Sequence, residues 1–256
     1  MERLNKKIAD AGICSRRKAD DLISSGKVIV NGAVVTTLGT LISDKDEIIV
    51  DGTIIEKVEK KYLVMNKPRG VICSVSDELK RKTVIDLLPT HYKEYRLYPV
   101  GRLDYDTKGV LILTNDGPFM NMLVGPSSGL QKVYLARIDG IILKETMTRI
   151  EQGILIEGKM SLPSLLDIVS IDRKNNSTLV QVTLTEGKYH QVKQMFELVG
   201  HKVKHLTRIR FGNITVDNVA EGMVRELTVH EVKTLRELSK QSKILKRVDI
   251  SKARRY

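Results

Sequence analysis

Four consecutive apolar residues, Val110 to Leu113, constrain the fold of this chain more than any other segment. Gly109 precedes them, and the turn sequence Asn115-Asp116-Gly117 follows shortly after. A strand with one solvated face alternates apolar and polar residues, whereas this run contains no polar residue. The run therefore predicts a strand that is covered on both faces inside a domain, with the preceding loop held rigidly.

Two short helices are predicted at the start of the chain. Leu4, Ile8 and Ala11 share one helical face. Ser15 can cap a second helix, which Gly26 ends. The sequence therefore begins with a pair of helices before any strand.

A β-hairpin follows these helices. The segments 28–30 and 34–35 are rich in valine and flank Asn31-Gly32. This dipeptide is the one best suited to the positive φ angles of a tight hairpin turn. Residues 2–50 are therefore predicted to form a compact module, helices first and strands second.

Arg16, Arg17 and Lys18 lie in the first turn of the second predicted helix. Cations there oppose the helix dipole, which is mildly unfavourable for the helix. A phosphate partner would remove the conflict, because backbone N–H groups and basic side chains would then face the same anion. The triplet is a candidate RNA-binding site, and a solvated basic turn is the alternative.

Net charge narrows the class of partner. The formal charge of +12 creates a positive field that attracts polyanions, of which nucleic acid is the commonest large one in a cell. The charge is clustered, since residues 240–256 carry seven Lys or Arg against the single acid Asp249. These features favour a nucleic-acid partner. The alternative is a generally basic, soluble surface without such a partner.

The sequence gives little support for a membrane protein, a secreted protein or a metal-binding protein. No apolar run approaches the roughly 18 residues that span a bilayer, and the polar N-terminus lacks a secretory apolar segment. Cys14 and Cys73 are far apart and outside any C-x-x-C spacing, which favours two buried or idle thiols. We therefore expect a cytoplasmic protein without a metal or disulfides.

Beyond the linker at 52–61, the pattern predicts a second, larger α+β domain. Its strands are predicted at 62–66, 71–73, 110–113, 132–138, 178–185 and 202–206, with a turn at 67–70. A helical turn is predicted at 83–88, and helices are predicted at 144–152, 189–200 and 229–240. We predict domains at 1–58 and 62–240, followed by a basic C-terminal tail at 241–256.

The segment Y-P-V-G-R-L-D-Y-D-T-K-G-V-L-I-L-T-N-D-G, residues 98–117, places Asp104 and Asp106 in the loop before the buried strand. On chemistry alone this pair is compatible with a metal site, a general acid/base pair or an Asx-turn. Spacing does not decide among these three.

Identity over the whole twenty residues is more informative, because the segment resembles the catalytic segment of pseudouridine synthases of the RsuA/RluB type. Three further segments resemble the same family: Y-L-V-M-N-K-P-R-G-V-I-C-S at 62–74, K-V-Y-L-A-R at 132–137 and E-G-K-Y-H-Q-V-K-Q-M at 186–195. Residues 2–50 resemble the S4-like RNA-binding domain. The expected fold is therefore such a module followed by a mixed, mainly antiparallel sheet of pseudouridine synthase type.

The resemblance implies roles for particular residues. Asp104 would be the nucleophile, Lys188 its cationic partner, and Tyr134 the aromatic that stacks on the target uracil. Arg102 would hold the RNA strand or fill the gap left by the extruded base, with a salt bridge to Asp106 as the alternative. Asp106 itself reverts to a role in loop structure.

Further RNA contacts are predicted from charge patterns. Lys67 and Arg69 in the K-P-R-G turn are candidate phosphate contacts, with a solvated turn as the alternative. Basic residues occupy even positions along the strand predicted from 202, which would make one of its faces positive and able to follow RNA. These residues are Lys202, Lys204, Arg208 and Arg210.

The chemistry fits the resemblance. Making pseudouridine breaks the bond between ribose C1′ and uracil N1 and rejoins the base through C5. A carboxylate is already ionised at neutral pH and can form a covalent adduct without a separate activating base, so no cofactor is expected. The expected partner is ribosomal RNA or a pre-ribosomal particle, and the expected state is a monomer.

The sequence is compatible with two other functions. One is a non-catalytic RNA-binding or ribosome-assembly protein, and another is a metal-dependent RNA hydrolase that uses Asp104 and Asp106. The target RNA is also open, because the N-terminal half resembles large-subunit enzymes whereas Y-H-Q-V-K at 189–193 resembles the small-subunit enzyme. We lean towards 23S rRNA over 16S rRNA.

Overall fold

The computed structural model describes residues 1–56, 58–125 and 128–253, with side chains described as far as residue 241. The helices are α1 (Leu4–Asp10), α2 (Arg16–Ser24), α3 (Thr90–Lys93), α4 (Gly117–Val124), α5 (Lys144–Glu151), α6 (Gln191–Glu197) and α7 (Val229–Ala253). The strands are β1 (Glu2–Arg3), β2 (Val28–Val30), β3 (Ala33–Val34), β4 (Leu41–Ile42), β5 (Ile48–Val50), β6 (Thr53–Ile54), β7 (Tyr62–Lys67), β8 (Tyr98–Pro99), β9 (Lys108–Thr114), β10 (Lys132–Asp139), β11 (Leu155–Ile156), β12 (Lys159–Met160), β13 (Leu165–Asp172), β14 (Ser177–Leu184), β15 (Val203–Phe211) and β16 (Val224–Glu226).

Two compact units make up the chain. The smaller comprises Met1–Lys61 with Thr90–Leu97 and Asn115–Gly117, and the larger contains most residues from Tyr62 onward. The domain boundaries expected from the sequence stay predictions.

The smaller unit has its helices before most of its strands, but not before all of them as predicted, because the two-residue strand β1 precedes α1. Ser15 caps α2, because its hydroxyl oxygen accepts a hydrogen bond from the backbone nitrogen of Lys18 at 3.2 Å. Asn31 and Gly32 have φ angles of 49° and 79°, so this dipeptide makes the tight turn between β2 and β3. Four of its strands form a sheet in the order β3-β2-β5-β6, and β1 pairs with β4 in a separate two-stranded sheet. Its buried core consists of Leu4, Ile8, Ala19, Ile23, Val28, Ile42, Ile48 and Val50.

The larger unit is organised around one sheet in the order β13-β14-β10-β15-β9-β7-β16, with β8 paired to β9. Strands β15 and β9 run parallel, and the other neighbours are antiparallel. The expected mixed, mainly antiparallel sheet and the α+β class are therefore confirmed.

Strand β9 is the buried strand that the apolar run predicts. Val110 to Leu113 are each at most 1% exposed, with β15 on one side and β7 on the other. At the start of β9, Gly109 has a φ angle of 105°, and a Cβ atom there would lie 2.1 Å from the carbonyl oxygen of Arg208. Only glycine allows the parallel neighbour to approach so closely.

Strand β15 is longer than predicted and is interrupted by two irregularities. Tyr134 of β10 pairs with Arg208 while Val133 pairs with Arg210, so Ile209 is an extra residue on β15. A second shift leaves Lys204 as an extra residue. Each β-bulge resets the alternation of faces, so the predicted single basic face along this strand is wrong.

The last helix also exceeds its prediction. It was expected to end near residue 240, where the basic tail would begin, but α7 continues to Ala253. The sequence from 229 to 253 contains neither Gly nor Pro, so nothing in it stops the helix. Residues 254–256 of the expected tail lie outside the described residues. No helix among the described residues is long and apolar enough to cross a bilayer.

Other elements differ locally. The predicted strand at 71–73 is reduced to an isolated bridge between Ile72 and Thr83, and the predicted helical turn at 83–88 consists of hydrogen-bonded turns. Helix α6 begins only at Gln191, because His190 before it has a left-handed φ angle of 47°. The edge strand β13 was not predicted, since few of its apolar residues are buried and its pattern gives little signal.

Candidate active site

The loop at 101–107, immediately before β9, carries Asp104. Its carboxylate is one-quarter exposed. The backbone nitrogen of Thr107 donates to the carbonyl oxygen of Asp104 at 3.1 Å, which closes a turn. The backbone nitrogen of Leu103 donates to the Cys73 sulfur at 3.3 Å, and that of Gly70 donates to the carbonyl oxygen of Tyr105 at 2.8 Å. The loop is therefore fixed at several points, as the buried strand behind it predicts.

Lys67 fixes the same loop from the interior. Its side chain is fully buried, and its ammonium donates to the carbonyl oxygens of Pro68 at 2.9 Å, Asp104 at 3.1 Å and Thr107 at 2.9 Å. Burial lowers the pKa of Lys67 below its ordinary value. The predicted phosphate contact at Lys67 is wrong, because an ammonium enclosed by three carbonyl groups has no access to RNA.

The Asp104 carboxylate has two basic neighbours. The ammonium of Lys193 lies 3.0 Å from Oδ2, and Nε2 of His190 lies 3.3 Å from Oδ1. Lys193 also contacts Asp106 Oδ1 at 2.6 Å. The carboxylates of Asp104 and Asp106 and the ammonium of Lys193 thus form a small network beside the loop at 101–107.

This network shifts the pKa values of its members. Burial alone would lower the pKa of Lys193, but hydrogen bonds and charge from Asp106 and Asp104 raise it. Burial alone would raise the pKa of Asp106, but the hydrogen bond and charge of Lys193 lower it. Lys193 therefore stays protonated and Asp106 stays ionised over the neutral range.

The expected pairing of Lys188 with Asp104 is wrong. The Lys188 ammonium donates instead to the carbonyl oxygens of Lys159 at 3.3 Å and Met160 at 2.8 Å. The left-handed backbone of His190 separates Lys188 from α6, so the two lysines of this segment diverge. Lys193, on the helix itself, takes the position beside the nucleophile candidate.

Asp104, Tyr134, Lys188 and Arg102 nevertheless share a cavity of about 60 Å³. Tyr134 lies on β10 and is half-buried against the neighbouring core. The cavity shares Arg102, Asp104 and Lys188 with a wider groove of about 740 Å³. The three residues assigned to catalysis by resemblance therefore come together, although Lys188 does not contact Asp104.

Arg102 and Arg69 are both exposed, as candidates for RNA contact should be. The alternative salt bridge between Arg102 and Asp106 is not formed, because Asp106 pairs with Lys193. Within the described part of the chain, the guanidinium of Arg102 has no hydrogen bond or ion pair. It remains a candidate for holding RNA.

The basic residues of the β15 region have different environments. Arg208 is 3% exposed, donates from Nε to the Val110 carbonyl oxygen at 2.8 Å and lies over the Phe211 ring, so its predicted role as an RNA contact is wrong. Lys204 is exposed and pairs with Asp139. Besides Arg69 and Arg102, the exposed residues that stay predictions as RNA contacts are Lys202, Lys204, Arg210 and the α2 residues Arg16, Arg17 and Lys18.

Sequence reasoning missed a polar cluster that supports α6. Gln191 is buried; its side-chain oxygen accepts from the Lys188 backbone nitrogen at 2.9 Å, and its amide donates to Glu186 at 2.6 Å. Glu186 in turn accepts from the backbone nitrogen of Leu162 at 2.9 Å. The sequence carries a signal for it, because Val192, Met195, Phe196 and Val199 share one helical face and leave Gln191 and Lys193 on other faces.

The described residues contain no group of three or more His, Cys, Asp or Glu side chains arranged to hold a metal ion. Asp104 and Asp106, which spacing alone left open as metal ligands, share the Lys193 ammonium as partner. The Asp104 carboxylate therefore lies between the Lys193 ammonium and the His190 imidazole.

Comparisons with known proteins show which family this chain is similar to. A family model described as RNA pseudouridylate synthase matches residues 61–198, and a model of the S4 domain matches residues 2–48. The chain is 44% identical to ribosomal large subunit pseudouridine synthase B of Bacillus subtilis (strain 168), over 95% of this chain and 99% of the relative. It is 40% identical to an RNA pseudouridine synthase of Aquifex aeolicus (strain VF5), over 91% and 93% of the two chains. A solved structure described as a pseudouridylate synthase superposes with a TM-score of 0.66 at 31% identity, over 92% of this chain and 100% of the other.

Proposed function

The chain belongs to the RNA pseudouridylate synthase family, and from this premise we propose that it isomerises one uridine of ribosomal RNA with Asp104 as nucleophile. One observation carries the proposal. The Asp104 carboxylate lies between Lys193 and His190 at the wall of a cavity that it shares with Tyr134. A carboxylate and an aromatic ring beside one small cavity support the proposed roles of Asp104 and Tyr134.

The proposed reaction begins with the uridine leaving its stack. Flipping a nucleotide costs on the order of a few kcal/mol, which contacts from residues such as Arg102 must offset. The ionised Asp104 then forms a covalent adduct while the bond between C1′ and N1 of the uridine breaks. Because Lys193 and His190 hold the carboxylate, little reorganisation is needed at that moment.

The second half of the reaction rejoins the base. After the base turns, C5 bonds to C1′, Asp104 is released, the proton at C5 is lost and N1 gains one. In the proposed reaction Tyr134, which lines the cavity, stacks on the base and helps to remove the C5 proton. The reaction is an isomerisation, so it consumes no redox cofactor and needs no second substrate.

Large-subunit ribosomal RNA is the proposed substrate. The B. subtilis relative is named for the ribosomal large subunit and aligns with nearly the whole chain, which supports 23S over 16S rRNA. We propose that residues 1–58 form the RNA-binding domain and residues 62–240 the catalytic domain, and that the protein acts in the cytoplasm as a monomer. A pre-ribosomal particle is the alternative form of the substrate.

Asp104→Asn tests the nucleophile, because it removes the charge and keeps the shape. Release of tritium from C5-labelled uridine in rRNA should fall to background, while circular dichroism and RNA binding stay close to wild type. Release at the wild-type rate would overturn the assignment. Absence of release by the wild-type protein, with RNA binding intact, would favour a non-catalytic ribosome-assembly protein. Mapping pseudouridines in both rRNAs of a deletion strain decides between the 23S and 16S targets.

A further inference from the structure

Tyr189 presents an exposed aromatic ring beside the candidate nucleophile. Its side chain is 62% exposed, and its ring stacks on the His190 ring with centroids 3.8 Å apart and planes 19° apart. His190 in turn approaches Asp104, with Nε2 3.3 Å from Oδ1. The order Asp104, His190, Tyr189 therefore leads outward from the reacting centre to solvent.

This arrangement is not explained by packing of a core. His190 adopts a left-handed φ angle of 47°, a conformation that costs free energy in a residue other than glycine. Large aromatic side chains contribute to stability mainly through burial, yet Tyr189 is an exposed residue. The exposed face is available for another planar group.

The surroundings of Tyr189 suit a single RNA strand. The groove of about 740 Å³ is lined by two tyrosines and two arginines, Tyr189, Tyr105, Arg102 and Arg81. Tyr105 is 55% exposed. Arg81 is paired with Asp77 at 2.7 Å, whereas the guanidinium of Arg102 is free of hydrogen bonds and ion pairs within the described residues. Proteins bind single-stranded nucleic acid with this combination of groups along one groove. A base stacks on the aromatic ring, and a phosphate contacts the unpaired cation.

The continuity of the RNA strand then fixes the occupant. If the target uridine enters the cavity at Asp104, the next nucleotide must lie in the groove outside it. In that groove Tyr189 is the next ring outward from His190. Resting on the proposed function, we propose that Tyr189 is the stacking platform for the nucleobase adjacent to the flipped uridine. Stacking tolerates every base, so Tyr189 contributes affinity and strand placement and does not read sequence.

Fluorescence of 2-aminopurine tests this placement directly, since stacking quenches it. The probes are two versions of a stem-loop of rRNA that contains the mapped target uridine, with 2-aminopurine on its 5′ or its 3′ side. The protein carries Asp104→Asn so that the RNA stays unreacted. Binding should quench one of the two probes. Adding Tyr189→Ala should remove that quenching and raise Kd about 10-fold, whereas Tyr189→Phe keeps the ring and should keep both.

Leu198→Ala is the matched control. It truncates another large exposed side chain, at the C-terminal end of α6 and away from the groove, and should change neither quenching nor Kd. Quenching that survives Tyr189→Ala, or no quenching at either position in bound RNA, would overturn the platform. A fall in kcat with unchanged Kd and quenching would also overturn it, because Tyr189 would then act only by holding His190. If the protein with Asp104 intact forms no pseudouridine, the proposed function fails, whatever the fluorescence shows.

Discussion

Lys193 and Lys188 lie five positions apart but have different partners, and substitutions separate their roles. Lys193→Gln removes the ammonium beside Asp104, and hydrogen bonds to charged groups contribute about 1.5–3 kcal/mol, so kcat should fall roughly 10- to 100-fold. Lys193→Arg keeps the charge and should restore part of the rate. Single-turnover assays on the same RNA give both values.

Lys188→Gln is the comparison for this test. The Lys188 ammonium contacts only the carbonyl oxygens of Lys159 and Met160 among the described residues, so the substitution should reduce kcat by less than Lys193→Gln does. The reverse order of effects would restore Lys188 as the cation that supports the nucleophile.

Lys67 gives a second prediction at this scale. Lys67→Met keeps the length of the side chain but leaves three carbonyl oxygens of the Asp104 region without their donor. Leaving a buried polar group unpaired costs about 1–3 kcal/mol, so the free energy of unfolding should fall by roughly 2 kcal/mol and kcat should fall with it. Urea unfolding and single-turnover kinetics measure the two effects.

The dependence of RNA binding on salt distinguishes Lys67 from its neighbour. Lys67→Met should leave the slope of log K against log salt unchanged, because the ammonium contacts no phosphate. The exposed Arg69 is the matched control. If it binds phosphate, Arg69→Gln lowers that slope by roughly 0.7–0.9 without loss of stability. A shallower slope in Lys67→Met would reinstate the phosphate contact.

At the scale of elements, the sequence pattern predicted those features that depend on neighbouring residues in the chain. The turn at Asn31-Gly32 and the buried strand β9 follow from backbone preference and from an unbroken apolar run. The bulges at Lys204 and Ile209 were not predictable in this way, because they arise from the register of β15 against β10. Arg208 was therefore assigned to the wrong face.

Helix α2 carries the prediction that belongs to this scale. Arg16, Arg17 and Lys18 are exposed in its first turn, where Ser15 caps the helix. Replacing all three by Gln should remove up to three phosphate contacts and lower the steepness of log K against log salt by roughly 0.7–0.9 per contact. Filter binding of rRNA fragments across a salt series measures the slope.

Two results would change the role of this triplet. An unchanged slope would make it a solvated basic turn, which was the alternative from the outset. A large fall in the single-turnover rate at saturating RNA would mean that α2 places the RNA in the catalytic site, in addition to binding it.

At the scale of the whole molecule, stability should depend on pH through the pair of Lys193 and Asp106. The pKa of Asp106 is lowered, so its contribution is complete above its ordinary value of 3.8 and is lost as the pH falls through the lowered pKa. The pKa of Lys193 is raised, so its contribution is complete below 10.5 and is lost as the pH rises through the raised pKa.

The difference in urea midpoint between the wild type and Lys193→Gln should therefore be constant between about pH 5 and pH 9. It should shrink at more acidic and more alkaline pH. Both proteins are unfolded in urea at each pH and followed by circular dichroism. A difference that is largest at about pH 3 would contradict the assigned pair.

The candidate site was predicted only in part, for a reason that lies in chain geometry. Asp104 was identified because twenty consecutive residues resemble one family. The choice between Lys188 and Lys193 depends on the left-handed turn at His190, which spacing does not reveal. Lys67 was misplaced because the loop that encloses it comes 37 residues later, and a turn sequence gives no sign of such a distant cover.

The contact between Gly109 and Arg208 sets a limit on how far this protein can be diversified. In a library of all single substitutions scored by survival, position 109 should tolerate as few residues as position 104. The two intolerances differ in kind, since a side chain at 109 would collide with the adjacent strand and reduce the amount of folded protein in the cell. Position 104 variants should accumulate to normal abundance and be inactive. A screen that reports abundance and survival together would therefore separate the proposed nucleophile from the residue that lets two strands meet.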